Sequence, residues 1–265
     1  MKIALAGGDQ RFLTAADCFK GLGYEILRVA SGDGSLPPSQ IPKDTEIIIL
    51  PLPYQKDGRL NSPTSETSHD VGEILASGNE STLFFGGNLP ETAKNYIDYA
   101  KIESFALKNA LITAEGALNL ALSLRQTALI DSQALVIGYG RIASHLTRLL
   151  CAFGCKTTVA ARREEARVTA KSNGASALSI EGLTDLSSYD LIFNTVPHPV
   201  ISERLLGTAN GDALIIELAS SSGFERESEK IIKASGLPGK FFPISAGKFI
   251  FEAIYPILIE RGLTP

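Results

Sequence analysis

An apolar run enters Gly138-Tyr139-Gly140-Arg141-Ile142-Ala143, a Gly-x-Gly-x-x-Ala pattern placed where a strand gives way to a helix. That spacing suits a dinucleotide pyrophosphate. Gly138 permits the tight turn off the strand, Gly140 lets the backbone approach the phosphates, and the small Ala143 allows helix and strand to pack closely. The helix start adds unpaired N–H groups and a partial positive charge. The next strand, Thr157-Thr158-Val159-Ala160-Ala161, ends on Arg162-Arg163. An acidic residue there would bond the 2′-hydroxyl of NAD, whereas an arginine pairs with the extra phosphate of NADP. The expected cofactor is therefore NADP. NAD stays open, because the same arginines also suit the solvated start of a helix at Glu164-Glu165-Ala166-Arg167.

Ligands of open parallel sheets lie beyond the carboxyl ends of the strands, which makes four further loops candidates. Gly7-Gly8-Asp9-Gln10-Arg11 closes the first strand. Its Asp9 would repel a lone anion, while Arg11 is either a grip for a substrate carboxylate or a plain helix-start charge. Asn194-Thr195-Val196-Pro197-His198 closes a later strand. Thr195, Val196 and Pro197 are expected to edge a nicotinamide ring, with Leu218 and Ala219 on the next loop beside them. His198 then stands ready as an acid or base near neutral pH. Leu218-Ala219-Ser220-Ser221-Ser222-Gly223 and Gly236-Leu237-Pro238-Gly239 complete the set. His145, in the helix after the glycine loop, and His69, in a polar stretch, are expected to be structural or solvated.

The elements that position these groups alternate. Strands are expected at 2–6, 25–29, 46–50 and 82–85, then at 134–137, 157–161, 190–195 and 213–218, which implies parallel sheets. Helices are expected from Phe12 to Gly21, from about Thr113 to Gln126, from Arg141 to Phe153, and from about Ala246 to Arg261. In the third of these, Ile142, Leu146, Leu149, Leu150 and Phe153 fall on one face. Long loops are expected at 35–42 and 51–68, the second long enough for a functional flap. The final helix is so apolar that it must bury most of its surface, which places it on the first domain. The fold class that follows is α/β, a Rossmann-type doubly wound sheet plus a second, smaller flavodoxin-like domain. Residues 1–110 with 246–265 form the substrate domain, and 111–245 the NAD(P)-binding domain.

Composition excludes several classes. With 265 residues and a net charge of −4, the chain has ample core and argues against nucleic acid as the main partner. No stretch reaches the roughly 20 apolar residues that span a bilayer. The apolar run after Lys2 is too short for a signal peptide, so a cytoplasmic location is expected. Cys18, Cys151 and Cys155 are too scattered for a disulfide framework, and no metal site is expected.

Read in order, a series of segments resembles the A-subunit family of dipicolinate synthase. The segments are Ala6-Gly7-Gly8-Asp9-Gln10-Arg11, Leu50-Pro51, Thr113-Ala114-Glu115-Gly116, Gly138-Tyr139-Gly140-Arg141 and Ala160-Ala161-Arg162. Asn194-Thr195-Val196-Pro197, Leu218-Ala219-Ser220, Gly236-Leu237-Pro238-Gly239 and Ala246-Gly247 continue it. The resemblance implies an oxidoreductase of sporulation. Its substrate would be dihydrodipicolinate, or the hydroxylated tetrahydro precursor after loss of water, oxidised to pyridine-2,6-dicarboxylate while NAD(P)⁺ takes a hydride from a CH–CH bond. It also implies, as partner, the flavoprotein-like B subunit of dipicolinate synthase. Arg11 becomes the carboxylate clamp, with Asp9, Asn88, Gly247 and Lys248 as further substrate-binding candidates. Glu115, at the start of the linking helix, becomes a base or an orienting carboxylate. Two departures remove cations found in the family: Ser221-Ser222-Gly223-Phe224 follows Leu-Ala-Ser, and Pro243-Ile244-Ser245-Ala246-Gly247 lacks a lysine. A cofactor-binding scaffold that needs a partner chain, and a 2-hydroxyacid dehydrogenase-like enzyme, are the alternatives. The latter is expected to carry an arginine after Leu218 and a late histidine, and no histidine follows His198. The apolar linking and final helices suggest a homo-oligomer.

Overall fold

Apolar strands alternate with helices along the chain and close two parallel sheets in the computed structural model, which describes residues 1–89 and 95–265. First come β1 (Lys2–Ala6), α1 (Gln10–Gly21), β2 (Glu25–Val29), β3 (Ile47–Ile49), β4 (Gln55–Lys56), β5 (Arg59–Leu60), α2 (Val71–Ser77), β6 (Leu83–Gly86) and β7 (Tyr96–Asp98). The long α3 (Glu103–Ser123) leads on to β8 (Gln133–Ile137), α4 (Arg141–Ala152), β9 (Lys156–Ala160), α5 (Glu164–Ser172) and β10 (Ser176–Leu178). β11 (Leu191–Asn194), α6 (Glu203–Leu206), β12 (Leu214–Glu217), β13 (Ile231–Lys233), α7 (Leu237–Phe241) and α8 (Pro243–Glu260) complete the chain. Contacts divide it into two compact units, Met1–Asn109 with Gly239–Pro265, and Ala110–Pro238. The first division falls inside α3. The second lies at Pro238–Gly239 rather than near residue 245, because the segment before α8 already packs with the first unit.

The first unit holds a five-stranded sheet in the order β2-β1-β3-β6-β7, all parallel. This is the flavodoxin-like order, whose reversal point lies between β1 and β3. Ile47, Ile48 and Ile49 are all completely buried, as an apolar run must be in a parallel strand covered on both faces. One cover is made by α1 and α8 together. Phe12, Ala15 and Phe19 of α1 meet Ile250, Ala253, Ile254 and Leu258 of α8 in a single core, and Phe251 sets its ring edge-on to Phe19 at 4.9 Å. Burying a side chain such as Ile254 or Leu258 stabilises the unit by roughly 1.5–3 kcal/mol. The long loop expected at 51–68 carries a small hairpin, with Gln55 opposite Leu60. The elements α2 and β7 were not expected from sequence.

The second unit holds six parallel strands in the order β10-β9-β8-β11-β12-β13. The strand order reverses about β8, whose neighbours are β9 and β11. This is the Rossmann arrangement. Helix α4 lays Ala143, Leu146, Thr147 and Leu150 against the sheet. Phe153, expected on that face, is instead 52% exposed. The helix ends at Ala152, and past that residue the helical spacing no longer applies. Helix α3 starts well before the Thr113 expected. Among the described residues, no helix is long and apolar enough to cross a membrane.

Candidate functional site

At the reversal point of the second sheet, a cavity of about 420 Å³ lies beyond the carboxyl ends of β8, β9 and β11. Its lining brings together Gly138, Tyr139, Gly140, Ala161, Arg162, Arg163, Thr195, Val196, Pro197 and His198. Three expected cofactor loops thus meet in one place. Gly138 adopts φ +92°, and a Cβ there would clash with Thr195 Oγ1 and stand 2.9 Å from Val196 Cγ2. Thr195 is held close because its backbone N–H and its hydroxyl both donate to the Ile137 carbonyl, at 2.9 and 2.8 Å. Gly140 is the N-cap of α4 and makes no side-chain cap bond, while the space its side chain would fill is open. A helix start left uncapped beneath open space fits a phosphate group. Ala143 is completely buried, as close packing of α4 on β8 requires. These residues fit a dinucleotide, whose pyrophosphate the open space at Gly140 would admit.

Arg141, Ile142, Leu218 and Ala219, also expected at the cofactor, do not line the cavity. Arg141 is exposed on the first turn of α4, and Ile142 is half-buried beside it. Arg162 and Arg163 are both exposed at the cavity edge. Arg167, which sequence reasoning treated only as part of a helix start, holds the turn that presents them: its Nη1 donates to the carbonyls of Ala161 at 2.9 Å and Arg162 at 2.6 Å. Tyr139 is tethered as well, since its hydroxyl accepts a 2.8 Å bond from Asn173 Nδ2 at the end of α5.

The largest omission from the sequence reading is Glu217, only 5% exposed at the end of β12. Its carboxylate accepts from Asn194 Nδ2 at 2.8 Å, from the Ala219 N–H at 2.9 Å and from the Gly223 N–H at 2.8 Å. An acid that ends the otherwise apolar Leu214-Ile215-Ile216 run was the available signal.

Glu115 does not join this cavity. Because α3 begins at Glu103, Glu115 sits deep within the helix, exposed, and lines a separate cavity of about 570 Å³ with His145, Arg148, Cys151 and Asn173. His145 is thus neither core nor plainly solvated, and burial together with Arg148 lowers its pKa. His69 belongs to the first unit, where Thr67 Oγ1 meets its Nε2 at 2.8 Å.

In the first unit, Arg11 and Asp9 form an ion pair at the reversal point of that sheet. Asp9 Oδ1 accepts from Arg11 Nε at 2.7 Å and from the Arg11 backbone N–H at 3.1 Å, so it caps α1 and orients the guanidinium. Asp9 Oδ1 is thus taken up by Arg11 and the helix start. Arg11 Nη2 lies 3.5 Å from the Leu52 carbonyl, and its side chain is only 11% exposed. Gly239 abuts the pair, for a Cβ there would stand 2.6 Å from Asp9 Oδ2. The Gly236–Gly239 stretch, expected as a loop, runs into helix α7. Gly247 is a packing glycine, buried where α8 crosses α1, and a Cβ on it would collide with the Arg11 carbonyl. Its backbone is therefore covered rather than offered to a ligand. Lys248 is exposed on α8, and Asn88 is exposed with its N–H on Asp98 Oδ2 at 3.1 Å. No group of three or more metal-binding side chains occurs among the described residues.

Comparison with known proteins agrees with both units. Residues 2–107 match the N-terminal domain of the dipicolinate synthase A subunit, and residues 109–227 match the NAD binding domain of D-isomer specific 2-hydroxyacid dehydrogenases. The dipicolinate synthase A subunit of Bacillus subtilis (strain 168) is 27% identical over 165 residues, which span 60% of this chain and 56% of that protein. The crystal structure of the dipicolinate synthase A subunit from Bacillus halodurans superposes with a TM-score of 0.85 at 20% identity, covering 97% of each chain. The crystal structure of its counterpart from Bacillus subtilis gives 0.78 at 23% identity, covering 98% of this chain and 96% of the other. These last two likenesses show the fold.

Proposed function

Because residues 2–107 match the N-terminal domain of dipicolinate synthase A subunits, we propose that the chain is a member of that family and that it oxidises dihydrodipicolinate, or its hydroxylated precursor after loss of water, to pyridine-2,6-dicarboxylate. The observation that supports this reading most is the cavity that gathers the glycine loop, the Arg162-Arg163 turn and the Thr195–His198 loop on a dehydrogenase-type sheet. A bound nicotinamide supplies the hydride acceptor. Aromatisation drives the reaction, so the protein's tasks are to hold two carboxylates, orient the ring and accept a proton. In this reading Arg11, oriented by Asp9, binds one substrate carboxylate as a charge-assisted pair, with Lys248 and Asn88 as secondary contacts. His198, at the rim of the cofactor cavity, takes the proton on its imidazole. Glu115, on its separate cavity, has no part in that transfer.

Purified protein mixed with NADP⁺ and chemically generated dihydrodipicolinate should raise the absorbance of reduced nicotinamide. An inactive chain that becomes active once the B subunit is added would replace this reading with that of a cofactor-binding scaffold. A 2-hydroxy acid should not be turned over, because Ser220-Ser221-Ser222 stands in the loop after β12, where the hydroxyacid enzymes' arginine is expected. Arg11→Ala should raise KM for the dicarboxylate by about tenfold or more, the scale of one lost charged hydrogen bond, while cofactor affinity stays put. An unchanged KM would remove Arg11 from substrate binding.

Cofactor choice has its own test. With Arg162 and Arg163 beside the cavity, the reading favours NADP. Replacing both by alanine should weaken NADP⁺ by about tenfold while leaving NAD⁺ within about twofold, measured by direct titration. Equal affinity of the unmodified protein for NAD⁺ and NADP⁺ would overturn the preference without touching the fold.

A further inference from the structure

We infer that Glu217 is the positioning residue for the nicotinamide end of the site, acting through a buried polar clasp that fixes the loops after β11 and β12. The inference rests on the nucleotide reading above and adds a residue to it. Sheet order supplies the location. With the adenosine end at Ala161–Arg163 after β9 and the pyrophosphate at Gly140 after β8, the remaining end of a dinucleotide extends over β11 and β12. Glu217 and Asn194 are direct partners in that ladder.

The clasp has three legs. Glu217 Oε1 accepts from Asn194 Nδ2 and from the Ala219 N–H, and Oε2 accepts from the Gly223 N–H. Asn194 passes the restraint onward, with its Nδ2 donating to the Val196 carbonyl at 2.9 Å and its Oδ1 accepting the Val196 N–H at 3.2 Å. One carboxylate therefore sets both Val196, which lines the cavity, and the 219–223 turn. Gly223 is cut to fit: a Cβ there would collide with Asn194 Nδ2 and stand 2.9 Å from the Val196 carbonyl.

Placing an acid here is costly on packing grounds alone. A buried carboxylate loses its hydration, and an apolar residue would serve an apolar strand better. No cation among the described residues pairs with Glu217, and every donor it meets is neutral. The carboxylate supplies what no apolar residue can: it gathers an amide N–H from the end of β11 and two backbone N–H groups from the loop after β12 at one point, and leaves a negative charge near a ring that is cationic when oxidised. Glutamine cannot substitute, since its amide NH₂ would face at least one of those N–H donors.

The test compares whole and truncated ligands. Wild type, Glu217→Gln and Asn194→Ala are titrated by calorimetry with NAD⁺ and NADP⁺, and with ADP-ribose and its 2′-phosphate, which lack the nicotinamide. Both variants should bind the dinucleotides about tenfold more weakly, the scale of one hydrogen bond to a charged group. The truncated ligands should stay within about twofold. Amide exchange at Ala219 and Gly223 should quicken in Glu217→Gln. Should that variant fail to fold, Asn194→Ala carries the same comparison, because the carboxylate keeps its two backbone donors. Equal weakening of whole and truncated ligands, or unchanged dinucleotide affinity, would overturn the positioning role. Failure of the wild-type chain to bind any form of ADP-ribose would instead sink the nucleotide reading, and the inference with it.

Discussion

Replacing Gly138 with alanine should reduce nicotinamide dinucleotide affinity by more than about a hundredfold while leaving the protein folded. The residue sits at φ +92°, where a non-glycine side chain costs of order 1–3 kcal/mol. Strain is only part of the effect. The new methyl would meet Thr195 Oγ1 and Val196 Cγ2, and Thr195 cannot retreat without giving up the two bonds it donates to the Ile137 carbonyl. The glycine turn and the Thr195–Pro197 loop must then part together, and both line the same cavity. Calorimetric titration measures the loss, and a melting curve separates it from unfolding. Binding within about twofold of wild type would show that the turn at Gly138 does not shape the site.

The second large effect is expected in the first unit, at Gly247. Gly247→Ala should lower the stability of the first unit by roughly 1–3 kcal/mol, the usual cost of overpacking a close contact. Here the added carbon would overlap the Arg11 carbonyl and lie 2.7 Å from Thr14 Cβ, so α8 must lift off α1. A drop in melting temperature of several degrees is the expected readout. Because Arg11 belongs to the same turn of α1, a shifted helix should also disturb its pairing with Asp9. Weakened substrate binding at an unchanged melting temperature would instead return Gly247 to the role that sequence first suggested, a backbone contact to the ligand.

Sequence and structure part company for local reasons. The unit from β8 to β9 was legible because strand, glycine turn and amphipathic helix each follow a strong period. Helix α3 was half seen, since its first residues, Glu103 to Ile112, carry apolar side chains on several faces and show no clear stripe. The strands β10 and β13 escaped because three residues at a sheet edge are too few to alternate. Most of the residues that line the cavity were readable, being neighbours in sequence within three loops. Glu217 was not, because its partner Asn194 is 23 residues away and only the ladder brings them opposite. Glu115 was misplaced by the late start given to its helix, and Gly247 by reading a close helix crossing as an approach to ligand.

The first unit is assembled from both ends of the chain, with residues 110–238 forming the other unit between them. Protein synthesis runs from one end to the other, so the two units cannot mature in the order in which they begin. When the last strand of the second sheet has left the ribosome, that sheet has all its residues and can fold as a unit. The face of α1 that carries Phe12, Ala15 and Phe19 is still waiting for Ile250, Ile254 and Leu258. Until α8 is released, the first unit is an open sandwich with an apolar face uncovered, and any chain stalled before about residue 250 is a candidate for aggregation or chaperone capture.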